Sequence, residues 1–236
     1  MIPLHDDNPT SIQPLVTIAL IVSCSLVFLW QLSLGPRAGQ AVVFALGMIP
    51  AVLFDQARLP SELHLVPAQM TVLTSMFLHG GWMHLLGNML YLWIFGNNVE
   101  DSMGHGRFIV FYLICGVCAA LVQAMLSPLS EVPMIGASGA ISGILGAYLL
   151  LYPHARVMVL LPLGFILIPI DLPASLVLIF WFIMQLLSSA AVDSSGGGVA
   201  FFAHLGGFVA GMAMIPLFKY QRFQLFAPAH ARPRQR

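Results

Sequence analysis

Three polar constellations interrupt a strongly apolar chain of 236 residues, and each holds groups able to move a proton or attack a carbonyl. The first is Gly136-Ala137-Ser138-Gly139-Ala140-Ile141-Ser142-Gly143. It is not the G-x-S-x-G elbow of soluble hydrolases, because Ala140 stands in place of the second glycine. Gly139 and Gly143, with Gly146 a turn further on, form a stripe of small residues along which another helix can approach closely. A serine in such a run can be a packing residue, can bond back to its own helix, or can act as a nucleophile. The apolar run after Ser138 reaches only to about Tyr152. If that helix ends at the cytoplasmic surface, it begins below the outer one, and Ser138 sits at depth in a protein-lined cavity. First-turn amides there are unpaired and carry the positive end of the helix dipole, where a developing oxyanion is stabilised.

The second constellation is Ala203-His204-Leu205-Gly206-Gly207-Phe208-Val209-Ala210-Gly211. Ala203, Gly207 and Gly211 recur at four-residue spacing and make a second close-packing stripe, suited to face the first. Docking the two would bring the His204 imidazole to the Ser138 hydroxyl. Alone, an intramembrane histidine serves equally as a hydrogen-bonded structural group or a proton relay; beside a serine it is a candidate base. The third constellation is His79-Gly-Gly-Trp-Met-His84-Leu-Leu-Gly-Asn88. His84 and Asn88 are four apart, so a helix stacks them on one face. Facing lipid would be costly, so they are expected to point inward, either as a structural pair or acting together on a reacting group. His79 falls in the loop ahead of that helix, beside Gly80 and Gly81.

The elements that must carry these groups are membrane spans. The chain is 59% hydrophobic and 8% charged, against about half and a quarter in soluble domains. A span needs about 20 apolar residues. Runs at 15–34, 108–127, 173–191 and 199–217 supply four; 83–100, which carries His84, Asn88, Asn97 and Asn98, and 136–152, rich in Gly, Ala and Ser, supply two inward-facing ones. Two further stretches, Ala41 to Phe54 and Val157 to Ile170, are about 14 residues long and contain Pro50, Pro162 and Pro169. Their length predicts interfacial or re-entrant segments. The expected fold is thus an all-α membrane protein, a six-transmembrane-helix bundle in one domain over 1–226, followed by a basic, disordered cytoplasmic tail at 227–236.

With both termini cytoplasmic, Arg107, Arg156, Lys219, Arg222, Arg232, Arg234 and Arg236 all fall inside, leaving Arg37 and Arg58 in a long outer loop. That obeys the rule that cytoplasmic loops collect basic residues. The opening MIPLHDDNPT has neither Lys nor Arg, so it lacks the basic start of a secretory signal and the Arg-rich character of a transit peptide. The first apolar run is expected to be retained, in a bacterial inner membrane. Nine Lys and Arg balance nine Asp and Glu, with no basic patch interleaved with aromatics, which excludes a nucleic-acid partner. Cys24, Cys115 and Cys118 lie in apolar runs and read as buried small hydrophobes rather than disulfide or metal partners. No metal or cofactor is expected.

In their order and spacing, H-x4-H-x3-N (His79, His84, Asn88), G-x-S-G (Gly136 to Gly139) and A-H-x-G-G-x-x-x-G (Ala203 to Gly211) resemble the rhomboid intramembrane serine proteases, over roughly residues 70 to 215. The resemblance implies a catalytic dyad of Ser138 and His204, with His84 and Asn88 helping the Ser138 amide bind the oxyanion. His79, Gly136, Gly139, Gly143, Gly207 and Gly211 take supporting roles. It implies an outer loop partly embedded in the membrane, and substrates that are themselves transmembrane proteins in the lipid bilayer. Met70 and Thr71 stand where many members have a Trp-Arg pair, and Ser142 where some have an aromatic that stacks on the histidine. No acidic residue lies in the two spans bearing Ser138 and His204, so a dyad is expected rather than a triad. Asp193 to Gly198 reads as a mobile cap, and the helix with Phe180, Trp181 and Phe182 as the neighbour past which a substrate helix enters. The rival classes are an inactive rhomboid-like binding factor, which would typically lack the serine or histidine, a histidine-containing transporter, and a haem or metal protein using His79, His84 and His204.

Overall fold

The structure is a computed structural model describing residues 1–163, 166–191 and 200–228. The expected cap at 193–198 and the tail from 229 lie outside the described residues. Among the described residues, the bundle contains α1 (Leu15–Ser33), α5 (Trp82–Met103), α6 (His105–Leu126), α7 (Ser138–Leu151), α8 (Ala174–Ala191) and α9 (Phe201–Phe218). Three of them, α1, α6 and α9, are long and apolar enough to cross a membrane, while α7 and the apolar part of α8 are shorter. The exterior is apolar: Leu15, Val22, Leu26 and Leu29 on α1 and Ile179, Ile183 and Leu187 on α8 are exposed. Buried polar side chains include Asn88, Asn98, Glu100, Ser142 and His204. That inversion suits a bilayer as solvent.

The centre of the bundle is α7, buried at every residue from Gly139 to Tyr148. Its small residues let α9 and α6 approach to backbone contact. A Cβ on Gly207 would collide with the Gly139 carbonyl, and one on Gly211 with the Gly143 carbonyl. From α6, Ala119 and Cys115 fill the space where Cβ atoms on Gly139 and Gly143 would stand.

At the end remote from Ser138, two carboxylates of α5 tie down the start of the chain. Glu100, fully buried, accepts bonds from the Val16 amide (2.9 Å), the Thr17 amide (2.8 Å) and the Thr17 hydroxyl (2.6 Å), and pairs with His105 Nδ1 (2.6 Å). It thereby caps the first turn of α1, which has no side-chain cap of its own. Asp101 holds Ser11 through its amide (2.8 Å) and hydroxyl (2.6 Å). Glu100→Ala removes an acceptor from buried donors and should cost about 3 kcal/mol, read as a lowered unfolding midpoint in detergent.

The all-α expectation fails at one place. Val157 to Ile170 lies in an antiparallel hairpin of β2 (Arg156–Leu163) and β3 (Ile166–Pro173), with β1 (Ile2–Asp6) added to the far edge of β2 in the order β1-β2-β3. Val157 and Val159 alternate inward and are buried, opposite Leu172 and Ile170. Period-two burial of β-branched residues, with Pro162 and Pro169 barring a helix, is what a strand requires. A short apolar run cannot be told from a helix by composition alone. The connection between α1 and α5 contains α2 (Gly35–Leu46), α3 (Pro50–Leu53) and α4 (Thr71–Thr74). It is stitched to the turn before α7 by reciprocal Met48 and Met134 backbone bonds and by the Gly136 amide on the Ser75 carbonyl (2.9 Å).

Candidate active site

Ser138 opens α7 directly after a turn that only glycine can make. Gly136 has φ +117°, and a Cβ there would stand 2.6 Å from His84 Nε2. The turn thus brings His84 of α5 against the backbone that leads into Ser138. As the first helical residue, Ser138 has an amide with no partner within its own helix. Its carbonyl accepts the Ser142 hydroxyl at 2.6 Å, so Ser142 is satisfied by back-bonding along α7.

His204, in the first turn of α9, places Nε2 2.8 Å from Ser138 Oγ. Its Nδ1 lies 2.7 Å from Gln185 Oε1 of α8. An amide oxygen can only accept, so Nδ1 carries the proton and Nε2 offers its lone pair to the serine hydroxyl. The ring is flanked by Trp181 (centroids 5.8 Å apart, planes at 41°) and met edge-on by Phe201 (6.4 Å, 88°). Trp181, not position 142, holds the imidazole from its side.

On α5, His84 Nδ1 accepts the Gly80 amide at 3.3 Å, which leaves the proton on Nε2, the atom facing Gly136. Asn88 Nδ2 is buried without a hydrogen-bond partner and lies 3.6 Å from the position a Gly136 Cβ would take. Two N–H donors therefore converge on the turn preceding Ser138, and one of them is unspent. His79 does not reach Ser138. It is buried behind His84, rings 5.1 Å apart, with its backbone clasped by Gln31 through the His79 amide (3.1 Å) and carbonyl (3.4 Å). Burial, with His84 beside it, pushes the His79 imidazole down to about 4, so it stays neutral at physiological pH. Among the described residues no three His, Cys, Asp or Glu side chains converge as metal ligands.

These groups line one cavity of about 1090 Å³, shared by Ser138, His204, His84, Asn88, Trp181 and Gln185, with no Asp, Glu, Lys or Arg in its described wall. A hydroxyl bonded to an imidazole, with N–H donors alongside, is the equipment for nucleophilic attack on a carbonyl.

The sequence pattern of the rhomboid domain matches residues 67–221, well over half of the chain and enclosing Ser138, His204, His84, Asn88, Trp181 and Gln185. The chain belongs to the rhomboid family. It is similar to Rhomboid protein 1, mitochondrial, of Saccharomyces cerevisiae (28% identical over 180 residues, 72% of this chain and 48% of the relative). Rhomboid-like protein 11, chloroplastic, of Arabidopsis thaliana is 29% identical over 191 residues, 74% of this chain and 62% of the relative. Rhomboid protease GluP of Bacillus subtilis is 42% identical over 93 residues, 39% of this chain and 18% of the relative. The chain thus spans less than two thirds of the length of each. Family membership and the apolar helices make it an integral membrane protein of a family that includes named proteases. Relatives named as mitochondrial and chloroplastic mean that membership does not by itself assign a bacterial membrane.

In this rhomboid two side chains of the site went unread in the sequence, Gln185 and Gln31. Gln185 carried a signal: it is the one hydrogen-bonding amide in the apolar run Leu176 to Leu187, and a lone amide in a span must find an inward partner. It also lies one turn from Trp181 on the same helix face.

Proposed function

We propose that this rhomboid is an intramembrane serine endopeptidase that hydrolyses peptide bonds in or near the transmembrane segments of other membrane proteins. The observation that carries the reading is the 2.8 Å contact between Ser138 Oγ and His204 Nε2 inside a cavity whose described wall has no charged side chain. In this reading α1, α5, α6, α7, α8 and α9 are six spans with both termini cytoplasmic, and the loop from α1 to α5 lies partly in the membrane.

Ser138 Oγ attacks the scissile carbonyl carbon as His204 Nε2 takes the hydroxyl proton. The carbonyl oxygen becomes an oxyanion and gains bonds from the Ser138 amide, His84 Nε2–H and Asn88 Nδ2–H. His204 returns its proton to the leaving amine, giving an ester on Ser138. Water, deprotonated by His204, then attacks that ester; the Oγ–acyl bond breaks, Ser138 Oγ takes the proton back from His204, and the acid is released. Hydrolysis needs an extended backbone, so the favoured substrate is a single-span protein with small or helix-breaking residues near the outer surface. In this reading α8 would border the lateral path of a substrate helix.

The test is cleavage of a single-span substrate by purified protein in lipid vesicles, with Ser138→Ala alongside and a chelator control. Cleavage that needs Ser138 and ignores chelator supports the reading; cleavage that survives Ser138→Ala, or none of several substrates cut, refutes it. In the same assay Asn88→Ala should lower kcat about 100-fold with KM little changed, since its unspent amide is engaged only as the oxyanion forms.

A further inference from the structure

We infer that Gln185 is the positioning residue of this site: its side-chain oxygen fixes His204 in the Nδ1-protonated tautomer and aims Nε2 at Ser138. The inference rests on the endopeptidase reading for its kinetic consequence, though not for its structural one. Three observations carry it. The first is the 2.7 Å contact between Gln185 Oε1 and His204 Nδ1, made on the side of the ring opposite the 2.8 Å contact with Ser138. One proton cannot occupy both nitrogens of a neutral ring, so the acceptor at Nδ1 decides which nitrogen is left as base.

The second is the pattern along α8. Ile183, Met184, Leu186 and Leu187 are exposed, whereas Trp181 and Gln185 line the cavity, one turn apart. An amide placed on an apolar helix at a position that reaches the histidine has its partner there and not in lipid. The third is the absence of a competing orienter. His204 has two ring nitrogens, and the contacts to Gln185 and Ser138 occupy both.

A neutral amide suits the place. It gives the direction that a carboxylate gives in a Ser-His-Asp triad without burying a charge in a cavity whose described wall has none. The helix bearing it is also the one that would border the substrate's lateral path, so displacement of α8 would uncouple the base from its orienter.

The experiment compares wild-type protein with Gln185→Leu in bilayers, using ¹⁵N-histidine solid-state NMR and His204→Ala to assign the resonance, together with kcat and KM on one cleaved substrate. The wild type should show His204 neutral with the proton on Nδ1. Gln185→Leu should shift the ring toward the Nε2-protonated form and lower kcat about 100-fold with KM unchanged within a factor of about two. An Nε2-protonated wild type, a tautomer indifferent to Gln185→Leu, or an unchanged kcat would each overturn the inference. Failure of the wild type to cleave counts against the endopeptidase reading instead, and the tautomer measurement then decides Gln185 alone.

Discussion

His204→Ala should leave a folded membrane protein with cleavage reduced at least about 10⁴-fold, since the serine hydroxyl loses the imidazole positioned to take its proton. The imidazole is bonded at both nitrogens, to Ser138 and Gln185, and flanked by Trp181. None of these partners depends on it for its own backbone placement, so the unfolding midpoint should move little. Ser138→Ala should fall by a similar factor, and the double variant should be no slower than either single one. Groups that act as one unit are lost together. Single-turnover cleavage in vesicles reads all three, with thermal unfolding as the control for folding. A His204→Ala protein retaining a tenth of wild-type activity would remove the imidazole from the chemistry.

The second large effect concerns the helix contact that brings these residues together. Gly211→Leu drives a side chain into the backbone of Gly143, which cannot yield as a flexible side chain would. The helices must part, with a loss of at least about 3 kcal/mol, and Ser138 must leave the reach of His204. Activity and unfolding midpoint should therefore fall together, unlike the His204→Ala result. Gly106→Ala on α6 is the matched control. Nothing lies within 4 Å of the Cβ it would add, and alanine in a helix gains up to about 1 kcal/mol over glycine.

The approach of α7 and α9 was legible because membrane helices without a hydrophobic drive associate through small residues. The four-residue spacing of Gly139 and Gly143 against Gly207 and Gly211 leaves few ways to dock. The His84 and Asn88 face followed from the same periodicity. The hairpin at 156–173 was not legible, since length and apolarity are shared by strands and short helices until the partner strand β1 is known. Gln185 was not legible as an orienter because the third group of a triad is defined by a carboxylate. The physics needs only an acceptor. Glu100 was hidden for the opposite reason: its acidity reads as a solvated end of a span, while its four bonds to α1 and His105 depend on a packing that no local pattern encodes.

The most direct test of an activated Ser138 is mass spectrometry of the protein after exposure to a serine-directed fluorophosphonate in lipid. One adduct is expected, on the peptide containing Ser138, formed by the wild type and absent from His204→Ala. An adduct on any other residue, or none on a protein that cleaves its substrate, would contradict that expectation.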